Sequence, residues 1–105
     1  MRTIQNMDDY NQVISQNKPI LLDFYADWCG PCQALLPTVD KLSQEYEGKV
    51  EILKVNVDQN QELARKYGIR SIPALYFIHN DEVKDKIIGA VPESHLRQKL
   101  DSMIN

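Results

Sequence analysis

Apolar residues recur in this chain with two different periods, and the alternation between them marks out its elements. Met7, Tyr10, Val13 and Ile14 fall at helical spacing, so Met7 to Ser15 predicts a first helix, closed off by Lys18-Pro19. The next segment, Ile20 to Ala26, is an almost unbroken apolar run. It is too short for a typical helix and predicts a strand buried on both faces near the centre of a sheet. From Cys29 the helical period returns: Leu35, Val39, Leu42 and Tyr46 share one stripe, Gly48 supplies a stop, and Pro37 should kink the helix. VEILKVNV, Val50 to Val57, is rich in β-branched residues and predicts a second strand. Asp58 and Gln61 have capping-box spacing for a helix that runs to Tyr67 and stops at Gly68. After Pro73, ALYFIHN and VKDKIIGA predict two strands joined by a hairpin at Asn80-Asp81. A last helix starts near Pro92 and carries His95, Leu96, Lys99, Leu100 and Met103.

Strand, helix and strand alternate first, and a hairpin plus helix closes the chain. This order predicts a three-layer α/β domain, with a central mixed sheet of four or five strands flanked by helices on both faces. A length of 105 residues suits a single domain, 1–105, and no repeat, linker or low-complexity segment divides it. Hydrophobic residues make up 43% and charged residues 26%, which excludes fibrous and disordered classes. The formal charge of -3 is small and of the wrong sign for gripping a phosphate backbone, so no nucleic-acid partner is expected. No run approaches the roughly 18 apolar residues of a membrane span, and MRTIQNMDDY lacks an apolar stretch of signal-peptide length. The expectation is a cytoplasmic protein with no membrane partner.

The chain has two cysteines, Cys29 and Cys32, with only Gly30 and Pro31 between them. Half of a zinc site is one reading, but His79 and His95 are far from zinc-ligand spacing, and no metal is expected. A structural disulfide is another, yet closing so small a loop stabilises by only about 2 kcal/mol on the chain-entropy model. The third is a dithiol that opens and closes. Residues i and i+3 at a helix start have Cβ atoms about 5 to 6 Å apart, so a modest adjustment brings the sulfurs into bonding range. Placing Cys29 just ahead of the helix lets free N-H groups and the positive dipole end stabilise its thiolate, the species that attacks disulfides. Asp23 lies among Leu21, Leu22, Phe24 and Tyr25, where burial would raise its pKa, unless it is a solvated strand-end residue. Lys54 sits similarly on its strand, with a solvated edge position as the plainer reading. His79 and His95 are read as a strand-end and a helix-surface residue.

WCGPC after LLDFYAD resembles the active site of the thioredoxin family, and the resemblance extends through Pro37, KVNVDQN, YGIRSIPALYF and Gly89-Ala90. It implies the thioredoxin fold, with Cys29 as nucleophile and Cys32 as the resolving thiol of a redox-active disulfide. Asp23 would serve proton transfer at Cys32, with Lys54 beside it. An Ile72-Pro73 bond would be trans by local preference alone. The resemblance implies a cis bond instead, next to the sulfurs, with the backbone at Ile72 and Pro73 pairing to an extended substrate segment. Trp28, Gly30, Pro31, Gly89 and Ala90 would form a small apolar surface around the nucleophile. The implied activity is protein-disulfide reduction by a thiol-disulfide oxidoreductase, with disulfide-containing proteins as substrates and a thioredoxin reductase as electron donor; no bound cofactor is expected, and a monomer is the default for the oligomeric state. Two alternatives stand beside it: a redox-silent binding module or assembly subunit, and an oxidase or isomerase of the same fold.

Overall fold

The apolar run Ile20–Tyr25 is buried at every residue and forms the middle strand of a five-stranded sheet. In the computed structural model, which describes residues 1–105, the chain runs β1 (Arg2–Thr3), α1 (Met7–Ser15), β2 (Ile20–Tyr25), α2 (Gly30–Glu45) and β3 (Glu51–Asn56). It continues with α3 (Gln61–Lys66), β4 (Ala74–His79), β5 (Glu82–Ile88) and α4 (Glu93–Ile104). The strand order is β1-β3-β2-β4-β5. β1, β3 and β2 are parallel, whereas β4 runs antiparallel to β2 and β5 antiparallel to β4, which makes the sheet mixed.

Side chains alternate across the sheet and supply two cores. On one face Leu22, Phe24, Leu53, Val55 and Tyr76 pack against Tyr10 and Val13 of α1 and Leu63 of α3. On the other, Leu21, Ile52, Leu75 and Phe77 pack against Leu35, Val39 and Leu42 of α2 and Leu96 and Leu100 of α4. Helices thus cover both faces, as the element order predicts.

β1 carries no sequence signal of its own. Its two residues are ordered by pairing with Leu53 and Lys54, extended by Ile4, whose N-H donates to the Lys54 carbonyl at 2.9 Å. The Asp58-Gln61 capping box does not form, and α3 starts at Gln61 after Asn60. No side chain caps α3; Asn56 instead orders the loop before it, because its Oδ1 accepts from the N-H groups of Asp58 and Gln59 at 2.9 and 3.2 Å. Asn60 is buried and donates to the Asn56 carbonyl at 3.1 Å, so its side chain is not free to cap. Pro92 stands at the N-cap of α4 rather than inside its first turn. α2 continues through Pro37, which is exposed. At the β4-β5 hairpin both Asn80 and Asp81 have positive φ, 55° and 59°, the geometry of a two-residue turn whose twist matches the flanking strands. Gly68, with φ of 63°, ends α3 as expected.

Candidate active site

Two backbone facts place the sulfurs. β2 ends at Tyr25, and the Cys29 N-H closes a turn onto the Ala26 carbonyl at 3.2 Å, so α2 begins directly at the carboxyl end of the central strand. Cys29 is the N-cap of α2, in extended conformation, and its Sγ accepts from the Cys32 N-H at 3.2 Å. The sulfur therefore occupies the place of a capping oxygen, at the end of the helix where unpaired N-H groups gather. Pro31 in the first turn removes no hydrogen bond, because an N-H there has no intrahelical partner.

Cys29 and Cys32 are joined as a disulfide with Cα atoms 5.2 Å apart. Both are largely enclosed, Cys29 at 5% exposure and Cys32 at 1%, in a small cluster with Tyr25 and Ala26 against which Leu36, Val57 and Ile72 pack. Cys29 Sγ lies 3.9 Å from the carbonyl oxygen of Ile72, and the Ile72-Pro73 peptide bond is cis. Pro73 is buried, and its carbonyl accepts from the Gly89 N-H at 2.8 Å, which ties the end of β5 to the loop beside the sulfurs.

Around this centre Trp28, Gly30, Pro31 and Ala90 are exposed. Trp28, 71% exposed, is held over the surface by a hydrogen bond from its Nε1 to Asp58 at 2.9 Å. Asp58 is a site residue that sequence reasoning missed. It lies 30 positions away, and nothing local links a carboxylate after β3 to an indole before α2.

Asp23 is 1% exposed and neither of its carboxylate oxygens has a hydrogen-bond partner. Burial pushes its pKa up to about 7, against the opposing pull of the Lys54 charge. The solvated strand-end alternative for Asp23 is thereby excluded. Lys54 lies directly across from Asp23 in the β2-β3 register, on a strand flanked by β1 and β2, so it is not an edge residue either. Its ammonium makes no ion pair within 4.0 Å and sits 5.4 Å from the centre of the Tyr25 ring. No group of three or more His, Cys, Asp or Glu side chains gathers to hold a metal ion.

The structure brings Cys29, Cys32, Ile72, Pro73 and Gly89 together at one end of the sheet, with Trp28, Gly30 and Pro31 beside them and the Asp23-Lys54 pair on the strands leading to them. The Thioredoxin family model matches residues 2–102. The chain is 48% identical over 92 residues to the M-type chloroplastic thioredoxin of Pisum sativum, covering 88% of this chain and 54% of that protein, so it spans about half the pea protein's length. It is 46% identical over 90 residues to Thioredoxin 1 of Nostoc sp., covering 86% and 84% of the two chains. Among solved structures, the thioredoxin of Fasciola hepatica superposes with a TM-score of 0.90 at 38% identity, covering 98% of this chain and 99% of that one.

Proposed function

Because the chain belongs to the thioredoxin family and its two cysteines form one redox pair, it is a thiol-disulfide oxidoreductase, and we propose that it works in the reducing direction on protein disulfides. The observation that carries this reading is the Cys29 sulfur at the N-cap of α2, with the Cys32 N-H aimed at it. In the reduced protein that N-H and the helix dipole stabilise a thiolate at Cys29.

The thiolate attacks one sulfur of a substrate disulfide, forming a mixed disulfide and expelling the other substrate sulfur as a thiolate. Cys32 then attacks the Cys29 sulfur, releases the second substrate thiolate and closes the Cys29-Cys32 bond. Two electrons leave the protein and the substrate gains two thiols once protons are taken up. The cycle closes when a thioredoxin reductase returns two electrons. Asp23, half protonated near neutrality, is suited to take the Cys32 proton before resolution, and Lys54 tunes it. The Ile72 and Pro73 backbone offers hydrogen bonding to an extended substrate segment, over an apolar surface formed by Trp28, Gly30, Pro31, Gly89 and Ala90. The protein acts as a monomer in a thiol-reducing compartment such as the cytoplasm. Nothing supports a redox-silent module.

Reduction of a disulfide-bonded protein with dithiothreitol as donor tests the assignment. Cys29→Ser should abolish the reaction, whereas Cys32→Ser should accumulate mixed disulfides through Cys29, visible by mass spectrometry of nonreduced complexes. Full activity in Cys29→Ser would end this reading.

A further inference from the structure

α1 and α3 cover the face of the sheet that carries Phe24, but their cover stops short of β5. Val83, Lys86 and Ile88 pair with Ile78, Tyr76 and Ala74 and share that face, yet Val83 is 46% and Ile88 51% exposed. Two depressions open along this shelf. One, of about 180 Å³, lies between the Gly68–Ser71 loop and Ile88, next to Ile72. The other, of about 540 Å³, lies between Tyr67 and Val83 toward the hairpin. They adjoin at Tyr76 and Lys86, which line both, so the two depressions follow one another along β5, away from the sulfurs, as a groove in two parts. The strand from Val83 to Ile88 gives it a length of about 17 Å.

The groove is basic along its walls. Lys66, Arg70 and Lys86 line it without a carboxylate within 4.0 Å, and Lys84 meets only the exposed Glu82 at 3.5 Å. Of the two acids nearby, Asp85 is held by Lys99 and by the Lys86 N-H, which leaves Asp81 at the far end. In a chain of formal charge -3, this concentration of unneutralised cations runs against the average. On the Trp28 side of the sulfurs the exposed charges are instead acidic, Asp27 and Asp58.

We propose that this groove is a docking site for the partner in the reductase reaction proposed above, on which the inference rests. It takes an extended segment flanking the attacked cysteine. Apolar residues at alternate positions settle on Ile88 and Val83, and carboxylates between them meet Arg70, Lys86 and Lys66. Such complementary charge raises encounter rate and selectivity more than raw affinity.

The test compares kcat/KM, with dithiothreitol as donor, for synthetic disulfide peptides that share one cysteine core. Flanks of alternating acidic and apolar residues, flanks of alternating basic and apolar residues, and no flank are each made on the amino and the carboxyl side. The acidic flank on one of the two sides should raise kcat/KM over its basic counterpart by roughly 3 to 10-fold at low salt, and the preference should collapse at about 0.5 M salt. In Arg70→Glu/Lys86→Glu the preference should reverse while the unflanked peptide is reduced as before. Equal rates for acidic and basic flanks, with the unflanked peptide still reduced, overturn the groove and leave the reductase reading standing. A preference that survives charge reversal, or a variant slowed on every peptide alike, overturns the groove as well. No reduction of any peptide removes both.

Discussion

On the α1 and α3 side of the sheet, the hydroxyls of Tyr10 and Tyr67 meet at 2.6 Å and the Tyr76 hydroxyl donates to the Tyr67 carbonyl at 3.3 Å. On the α2 and α4 side, both oxygens of Asp23 are buried with no partner. Burial pushes the pKa of each kind of group upward, with opposite consequences. A phenol starting at 10.0, as Tyr10 and Tyr67 do, is already neutral at any working pH, and raising it only makes the neutral form more secure. A carboxyl starting at 3.8 is brought to about 7, where a small change in conditions moves its proton. The tyrosine cluster, with its rings packed edge to face 5.2 and 6.0 Å apart, therefore contributes stability, whereas the burial of Asp23 costs stability above the pH at which its carboxyl ionises.

The largest expected effect breaks the Asp23 side of this contrast. Its folded-state pKa is raised, so the native state holds a proton that the unfolded chain has released between about pH 4 and pH 7. Stability from this group is intact below that window, falls as pH rises through it, and is lost above it. At 1.36 kcal/mol per pH unit, a carboxyl moved from 3.8 to about 7 costs on the order of 4 kcal/mol at pH 8. Asp23→Asn removes the titration and keeps the shape. Urea unfolding of the oxidised protein should show the variant, little different from the parent at pH 4, gaining on it as pH rises from 4 to 8, by up to that amount. A gap that stays constant across this range would mean Asp23 does not titrate near neutrality. In the same variant the reductase rate should lose its rise through neutral pH.

The tyrosine side should respond more weakly and without pH dependence. Tyr67→Phe leaves the hydroxyl of the buried Tyr10 without its partner and should cost about 1 to 2 kcal/mol. Tyr10→Phe/Tyr67→Phe should cost less than the sum of the single changes, because replacing both partners leaves no orphan. Additive losses would show that the hydroxyls contribute independently and that the short contact carries no coupling. Disulfide reduction should be unaffected in all three proteins.

These two clusters also differ in how far they could be read from the chain. Asp23 was legible because a charge inside Ile20 to Ala26 violates a period-free apolar run, and the Cys29 cap was legible because its spacing to Cys32 matches a first helical turn. The hydroxyl contact joins residues 57 positions apart, and no local pattern pairs Tyr10 with Tyr67. The same reason hides β1, whose two residues are strand only because β3 lies alongside, and the anchoring of Trp28 by Asp58. The capping box at Asp58 and Gln61 fails because α3 starts later, at Gln61: Asn56 holds the Asp58 and Gln59 N-H groups in a loop before the helix, and the Asp58 carboxylate accepts from Trp28. The cis bond before Pro73 runs against its local preference and was reached only through family resemblance.

The smallest and most discriminating change is at Lys54, which touches Asp23 only through its field. Its ammonium holds the carboxyl below where burial alone would put it, but no ion pair closes within 4.0 Å, and the half-exposed side chain is shared with the Tyr25 ring at 5.4 Å. An attraction of that kind across partly solvated space is worth under about 1 kcal/mol. Lys54→Gln should therefore move the Asp23 midpoint upward from about 7 and carry the neutral-pH rise in reductase rate with it. The rate at pH 7 should fall by less than about fivefold, with recovery at higher pH, whereas Asp23→Asn would show no recovery. Lys54→Arg, which keeps the charge, should leave the midpoint near its parent value. A carboxyl midpoint followed by NMR that is unmoved in Lys54→Gln would mean that the lysine serves the Tyr25 ring alone, and the pairing of Asp23 with Lys54 would be a matter of strand register without consequence for the proton.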